Sequence, residues 1–96
     1  MIGNIAVSIQ GHDKGKAYII IEEKDGYLYV SDGKRRSVDN PKKKNPAHLQ
    51  INRSFDPEGL KERIKAGEKI YDHDAVRIIN LWKESISEGN KCQKQM

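Results

Sequence analysis

Cysteine is nearly missing from this chain: Cys92 is the only one among 96 residues. One thiol excludes an internal disulfide and any zinc framework of paired cysteines, and it suits a reducing, cytoplasmic compartment. Because position 92 falls in a polar tail, an inert surface thiol is expected there. Aromatic residues are scarce as well, at 6%. No run approaches the roughly 18 apolar residues of a membrane helix. No basic-then-apolar leader opens the sequence, so no membrane contact is expected. Nucleophile, base and acid cannot be assembled into a specific set, so neither catalysis nor a cofactor is expected. "DHD" at 72–74 has no further histidine or cysteine at ligand spacing, so it reads as a helix cap and no metal is expected.

What the chain does have is charge, at 33% of residues against 35% hydrophobic. Its length fits a single compact unit, expected to be monomeric when free. The charge is unevenly placed. Residues 1–53 hold 10 Lys/Arg against 6 Asp/Glu, while residues 54–96 hold 8 of each, so the net +4 lies in the first half. Much of it sits in "KRRSVDNPKKKN", where six of twelve residues, from Lys34 to Asn45, are Lys or Arg. Like charges repel, so such a run costs the folded state unless an anionic partner relieves it.

Periodicity divides the chain at the same place. Ile5, Val7 and Ile9 alternate with Asn4, Ala6, Ser8 and Gln10, the period of a half-buried strand. "AYIIIEE" and "YLYVS" follow, joined by Asp25-Gly26, a strong hairpin signal because the turn needs positive φ. Asp32-Gly33 repeats the signal ahead of "KRRSV", and "HLQIN" comes last. Five short antiparallel strands within residues 1–53 close most economically into a small barrel. From Ser54 the rhythm turns helical. Asp56-Pro57 starts one helix, Leu60 and Ile64 share its face, and Gly67 stops it. A second helix starts near Asp72 or Asp74 and ends by Gly89. Its stripe of Ala75, Ile78, Ile79, Trp82 and Ile86 docks on the barrel, with Arg77, Asn80, Glu84 and Glu88 opposite. From about residue 90 the tail "NKCQKQM" is expected to fray. The fold class expected is thus mainly β, a barrel over 1–53 with a helical extension over 54–96.

The loop "GHDKGK" joins the first two strands. Gly11 and Gly15 allow a tight bend and close backbone approach, and Lys14 and Lys16 add cations, a combination able to hold phosphate oxygens. No Gly-Lys-Ser/Thr follows, so nucleotide hydrolysis is not indicated.

At these residues the chain resembles a known family. "GNIAVSIQGHDKGKAYIIIEEKDGYLYVSDG" looks like a KOW motif, with Gly11 at its characteristic glycine. "DGKRRSVDNPKKKNPAHLQ" extends the likeness to the KOW-domain proteins of the large ribosomal subunit, of the archaeal and eukaryotic type numbered fourteen, and to their short bacterial relatives. The likeness covers residues 3–51. It implies an SH3-like barrel, structured ribosomal RNA as partner, and association with the large subunit and its proteins. It places RNA on Gly11, Lys14, Gly15 and Lys16, on Lys34, Arg35, Arg36, Lys42, Lys43 and Lys44, and on His48. His12 is placed on RNA too; it stands where relatives often carry Arg, so a bidentate phosphate contact is not expected from it.

In the residues' own terms, Asn40-Pro41 stops a fourth strand carrying Arg35 and Arg36. Pro46 closes a short rigid loop presenting Lys42, Lys43 and Lys44 beside it. The competing reading is a protein-interaction module. It would use either an aromatic face of Tyr18, Tyr27 and Tyr29 or the apolar stripe of the second helix.

Overall fold

The computed structural model describes residues 2–95, with side chains for residues 2–86 other than position 58. Five strands form one antiparallel sheet: β1 Ile5–Ser8, β2 Ala17–Lys24, β3 Tyr27–Ser31, β4 Lys42–Lys44 and β5 Leu49–Asn52. Their spatial order is β4-β3-β2-β1-β5, and pairing does not continue from β5 back to β4. Two helices follow, α1 Leu60–Lys65 and α2 Asp72–Gln95. A mainly β unit with a helical end is therefore the architecture. No helix among the described residues is long and apolar enough to cross a membrane.

The β2–β3 hairpin forms as its turn chemistry requires. Asp25 at φ 54° and Gly26 at φ 80° give the two successive positive dihedrals of a tight turn whose twist matches the strands. Partway along, the register shifts between Ile20 and Glu22, so Ile20 faces Val30 and Glu22 faces Tyr29. Such a bulge adds one residue to one strand and increases its twist.

The sheet is buried on both faces, which explains the unbroken apolar run in β2. On one face Ile5, Ala17 and Ile19 pack with Leu60, Ile70, Ala75, Ile78 and Ile79. On the other, Ala6, Tyr18, Ile20, Leu28, Val30 and Leu49 form a second cluster. Burying each large aliphatic side chain contributes about 1.5–3 kcal/mol. In β1 the face of Ala6 and Ser8, which alternation assigns to solvent, is therefore interior, while Ile9 lies past the strand and is exposed.

Three further expectations are corrected. "KRRSV" is not a strand. The oxygens of Ser31 and Asp32 take up the backbone groups of residues 33–36, so no strand partner is needed. Lys42, Lys43 and Lys44 are not a loop; they are β4, set opposite Val30, Tyr29 and Leu28. Finally, α2 does not end by Gly89 or fray at 90 but continues to Gln95. Glycine inside a helix costs only about 1 kcal/mol, and no proline follows to stop propagation. The side chains of Cys92 and Glu88 lie outside those described.

Gly67, at φ 86°, ends α1 as expected. The α2 stripe docks through Ala75, Ile78 and Ile79, Trp82 packs in part, and Ile86 is exposed. At the start of α2, Asp74 accepts from the Tyr71 N–H at 3.0 Å, reaching back over the first turn as a capping box does. Asp72 has a different task. Its carboxylate accepts from Val38 N–H at 2.7 Å and from the Ser37 hydroxyl at 3.2 Å, which ties the basic segment to α2.

Candidate nucleic-acid interface

The loop between β1 and β2 is a compact knot of backbone bonds. Gly15 N–H donates to Ser8 O at 2.7 Å, Ser8 N–H to Lys16 O at 2.9 Å, and Lys16 N–H to Asp13 O at 2.9 Å. Gly11 and Gly15 both sit at φ 89°, where a Cβ is strained. Gly15 has open space around it, and an added Cβ at Gly11 would meet only an Asp13 oxygen at 3.6 Å. The glycines are thus required by backbone conformation, not by crowding. His12 and Lys14 are exposed on this loop.

Asp13 points inward and gathers the cations of β4. Its carboxylate accepts from the Tyr18 hydroxyl at 2.7 Å and the Ser8 hydroxyl at 2.8 Å. Lys44 Nζ lies 2.9 Å away and Lys42 Nζ 3.2 Å away. Burial opposes charge on Asp13, yet the hydrogen bonds from Tyr18, Lys44, Ser8 and Lys42 outweigh it and hold the carboxyl well below its usual range. Burial, with Asp13 as its acceptor, pushes the Tyr18 phenol upward. Lys44 retains only 10% of its side-chain exposure and Lys42 34%. Two of the three lysines assigned to RNA are therefore engaged internally. Lys43, on the opposite face of β4, is exposed and sits 4.2 Å over the Tyr27 ring.

Asp32 plays the same part for the neighbouring turn. Lys16 Nζ reaches its carboxylate at 2.6 Å, and the N–H groups of Lys34 and Arg36 donate to its other oxygen at 2.9 and 3.0 Å. Burial would raise its pKa, but Lys16 and these backbone donors bring it down to about 2. The Ser31 hydroxyl donates to Arg36 O at 2.6 Å. Gly33, at φ 75°, passes so close to α2 that a Cβ there would overlap the Asp72 carbonyl oxygen. The backbone of residues 32–36 is thus fixed on both sides, while Lys34, Arg35 and Arg36 extend into solvent. None of the three side chains has an ion-pair partner among the described residues.

The residues assigned from sequence therefore separate into groups. Lys14, Lys34, Arg35, Arg36 and Lys43 are exposed cations. Lys16, Lys42 and Lys44 are held by carboxylates. His48 is half-buried in a single 3-10 turn, Pro46–His48, whose carbonyl accepts from Ile9 N–H at 2.9 Å. Tyr18 is buried and leaves the aromatic face, where Tyr27 is exposed and Tyr29 half-buried.

A cleft of about 190 Å³ between the 32–36 turn and α2 was not foreseen. Asn80 and Lys83 line it, together with Lys16, Lys34 and Arg35. Both helix residues lie outside the likeness, and only the packing of α2 against the turn brings them there.

No family model matches the chain, and no curated protein matches it.

Proposed function

We propose that this protein binds structured RNA, ribosomal RNA above all, as a cytoplasmic ribosomal or ribosome-associated protein of the KOW type. The contact surface is the loop around Gly11, Lys14 and Gly15, the turn of Lys34, Arg35 and Arg36, and Lys43. One observation supports this most: a backbone pinned by two carboxylates holds three cations that no carboxylate among the described residues neutralises. A rigid turn with free cations meets phosphates at little ordering cost, and release of condensed counterions supplies the driving force. Catalysis is no part of this reading.

The test is a titration of fluorophore-labelled large-subunit rRNA stem-loops by the full chain across a range of salt. If the five exposed cations each neutralise a phosphate, log K falls with log salt at a slope of about −3.5 to −4.5. Crosslinking in cells and sequencing of the attached RNA then identify the partner. A binding curve indifferent to salt would sink the reading and favour a protein partner for the exposed end of the α2 stripe at Ile86.

A further inference from the structure

We infer that the cleft between the 32–36 turn and α2 is a seat for one phosphodiester of the bound nucleic acid, formed jointly by the basic turn and by Asn80 and Lys83 of the helical extension. This rests on the RNA reading above and adds to it a role for α2.

The cleft is built by three features already described. Val76, Asn80 and Lys83 are spaced by four and three residues, which places them along one face of α2. Asp72 holds Ser37 and Val38, and Gly33 lies so close to the first turn of α2 that it has no room for a side chain. That packing sets Lys34 and Arg35 across from Lys83 on the rim. Ala17, Val76 and Ile79 add apolar lining, and the Lys16–Asp32 ion pair at 2.6 Å lines the cleft as well.

Charge calls for an anion. Lys16, Lys34, Arg35 and Lys83 face one carboxylate, Asp32, so the cleft carries a formal charge of +3. Asp32 cannot answer the remaining cations, because its oxygens already accept from Lys16, Lys34 N–H and Arg36 N–H. Lys83 is exposed and has no ion-pair partner among the described residues. A carboxylate and a phosphodiester each bring one negative charge and two oxygens; on the RNA reading, neighbouring phosphates of the same strand answer the other cations. One phosphodiester then sets its two non-bridging oxygens on Lys83 and Arg35, with the Asn80 amide as a neutral donor and the ribose against the apolar side chains. The volume is adequate, since a cavity of about 150 Å³ admits a benzene-sized molecule.

The test uses the full chain and a fluorophore-labelled rRNA stem-loop, titrated at several salt concentrations. Lys83→Gln is expected to flatten the salt slope by about 0.7–1 and to weaken binding about threefold or more at low salt, alike for different RNA sequences. Lys83→Glu should weaken it further, and Asn80→Ala should weaken it without moving the slope. Lys65→Gln, the same charge change on α1 outside the cleft, controls for net charge. Circular dichroism confirms that each variant is folded. Wild-type binding with Lys83→Gln no weaker than Lys65→Gln would overturn the phosphodiester seat while leaving the RNA reading intact. Loss of salt-dependent binding in the wild type itself would overturn both.

Discussion

Two basic triplets eight residues apart, Lys34-Arg35-Arg36 and Lys42-Lys43-Lys44, have opposite surroundings in the folded chain. The second is a strand whose alternation sends Lys42 and Lys44 toward Asp13 and Lys43 outward. The first is a turn whose backbone, rather than its side chains, satisfies a carboxylate. The difference teaches that a cation run is not a ligand surface until its counter-charges are located. Lysines on a strand can enter a polar interior in alternation, whereas a turn held by an aspartate at its head projects every side chain.

Asp13 offers the largest test of that contrast. Asp13→Asn removes the counter-charge from Lys44, which is nearly buried, and from Lys42, and should cost about 3 kcal/mol in urea denaturation. The acid limb of stability carries the same information. A carboxyl whose folded pKa is depressed stabilises fully above its unfolded value and loses that contribution as pH falls through the folded one. Stability should therefore fall below about pH 4, the Asp32 share being lost as pH passes about 2. Asp13→Asn should make that decline shallower. An unchanged acid limb would mean that the β4 lysines are solvated and the two triplets equivalent.

Gly33 tests the other triplet's support. Gly33→Ala places a methyl against the Asp72 carbonyl at a positive φ and should cost about 2 kcal/mol or more. Gly11→Ala makes only an ordinary contact with an Asp13 oxygen at 3.6 Å and should cost only about 1 kcal/mol, from backbone strain. Equal costs at the two sites would show that the turn is not seated on α2.

Within β4 the expected effects alternate. Lys44→Gln should cost about 1–2 kcal/mol, because Asp13 keeps Lys42, Tyr18 and Ser8 but loses its closer cation. Lys43→Gln should change stability by no more than about 0.5–1 kcal/mol, the value of an exposed cation–ring contact. A flat response across 43 and 44 would argue against the strand.

Much of this was legible in the sequence, and the misses have physical causes. β1, β2, β3 and β5 follow from β-branched runs and Asp-Gly turn chemistry. The end of α1 follows from Gly67, but its start does not: Asp56-Pro57 opens a separate 3-10 turn, Pro57–Gly59, and α1 begins at Leu60. Strand β4 was illegible because lysines after a proline have no intrinsic strand preference; pairing with β3 imposes one. The burial of Ala6 and Ser8 was missed because alternation reports one buried face, whereas this sheet is covered on two. Asp13 looked like a turn residue of "GHDKGK". Its bonds to Lys42 and Lys44 span 29 and 31 positions, a separation that no local pattern encodes. Helical periodicity places Asn80 only opposite the apolar stripe, and no local pattern singles out Lys83, for the same reason.

The smallest expected effect on stability belongs to the first triplet, and there the contrast is sharpest. Replacing Lys34, Arg35 and Arg36 with Gln keeps every backbone N–H and carbonyl that Asp32 and Ser31 use, so stability should stay within about 0.5 kcal/mol. RNA affinity should nonetheless fall, with the salt slope flatter by about 2–3 and the loss alike across sequences, as backbone phosphate contacts require. The matching replacement of Lys42, Lys43 and Lys44 should do the reverse: destabilise the fold through Lys42 and Lys44, and flatten the slope by only about 1 through Lys43. Measured together by urea denaturation and RNA titration, the two triple variants form a cross in which each is strong where the other is weak. If the folded β4 variant instead loses the larger share of the slope, the Asp13 ion pairs must open when RNA binds. Lys42 and Lys44 would then count as RNA ligands, held by Asp13 only in the free protein.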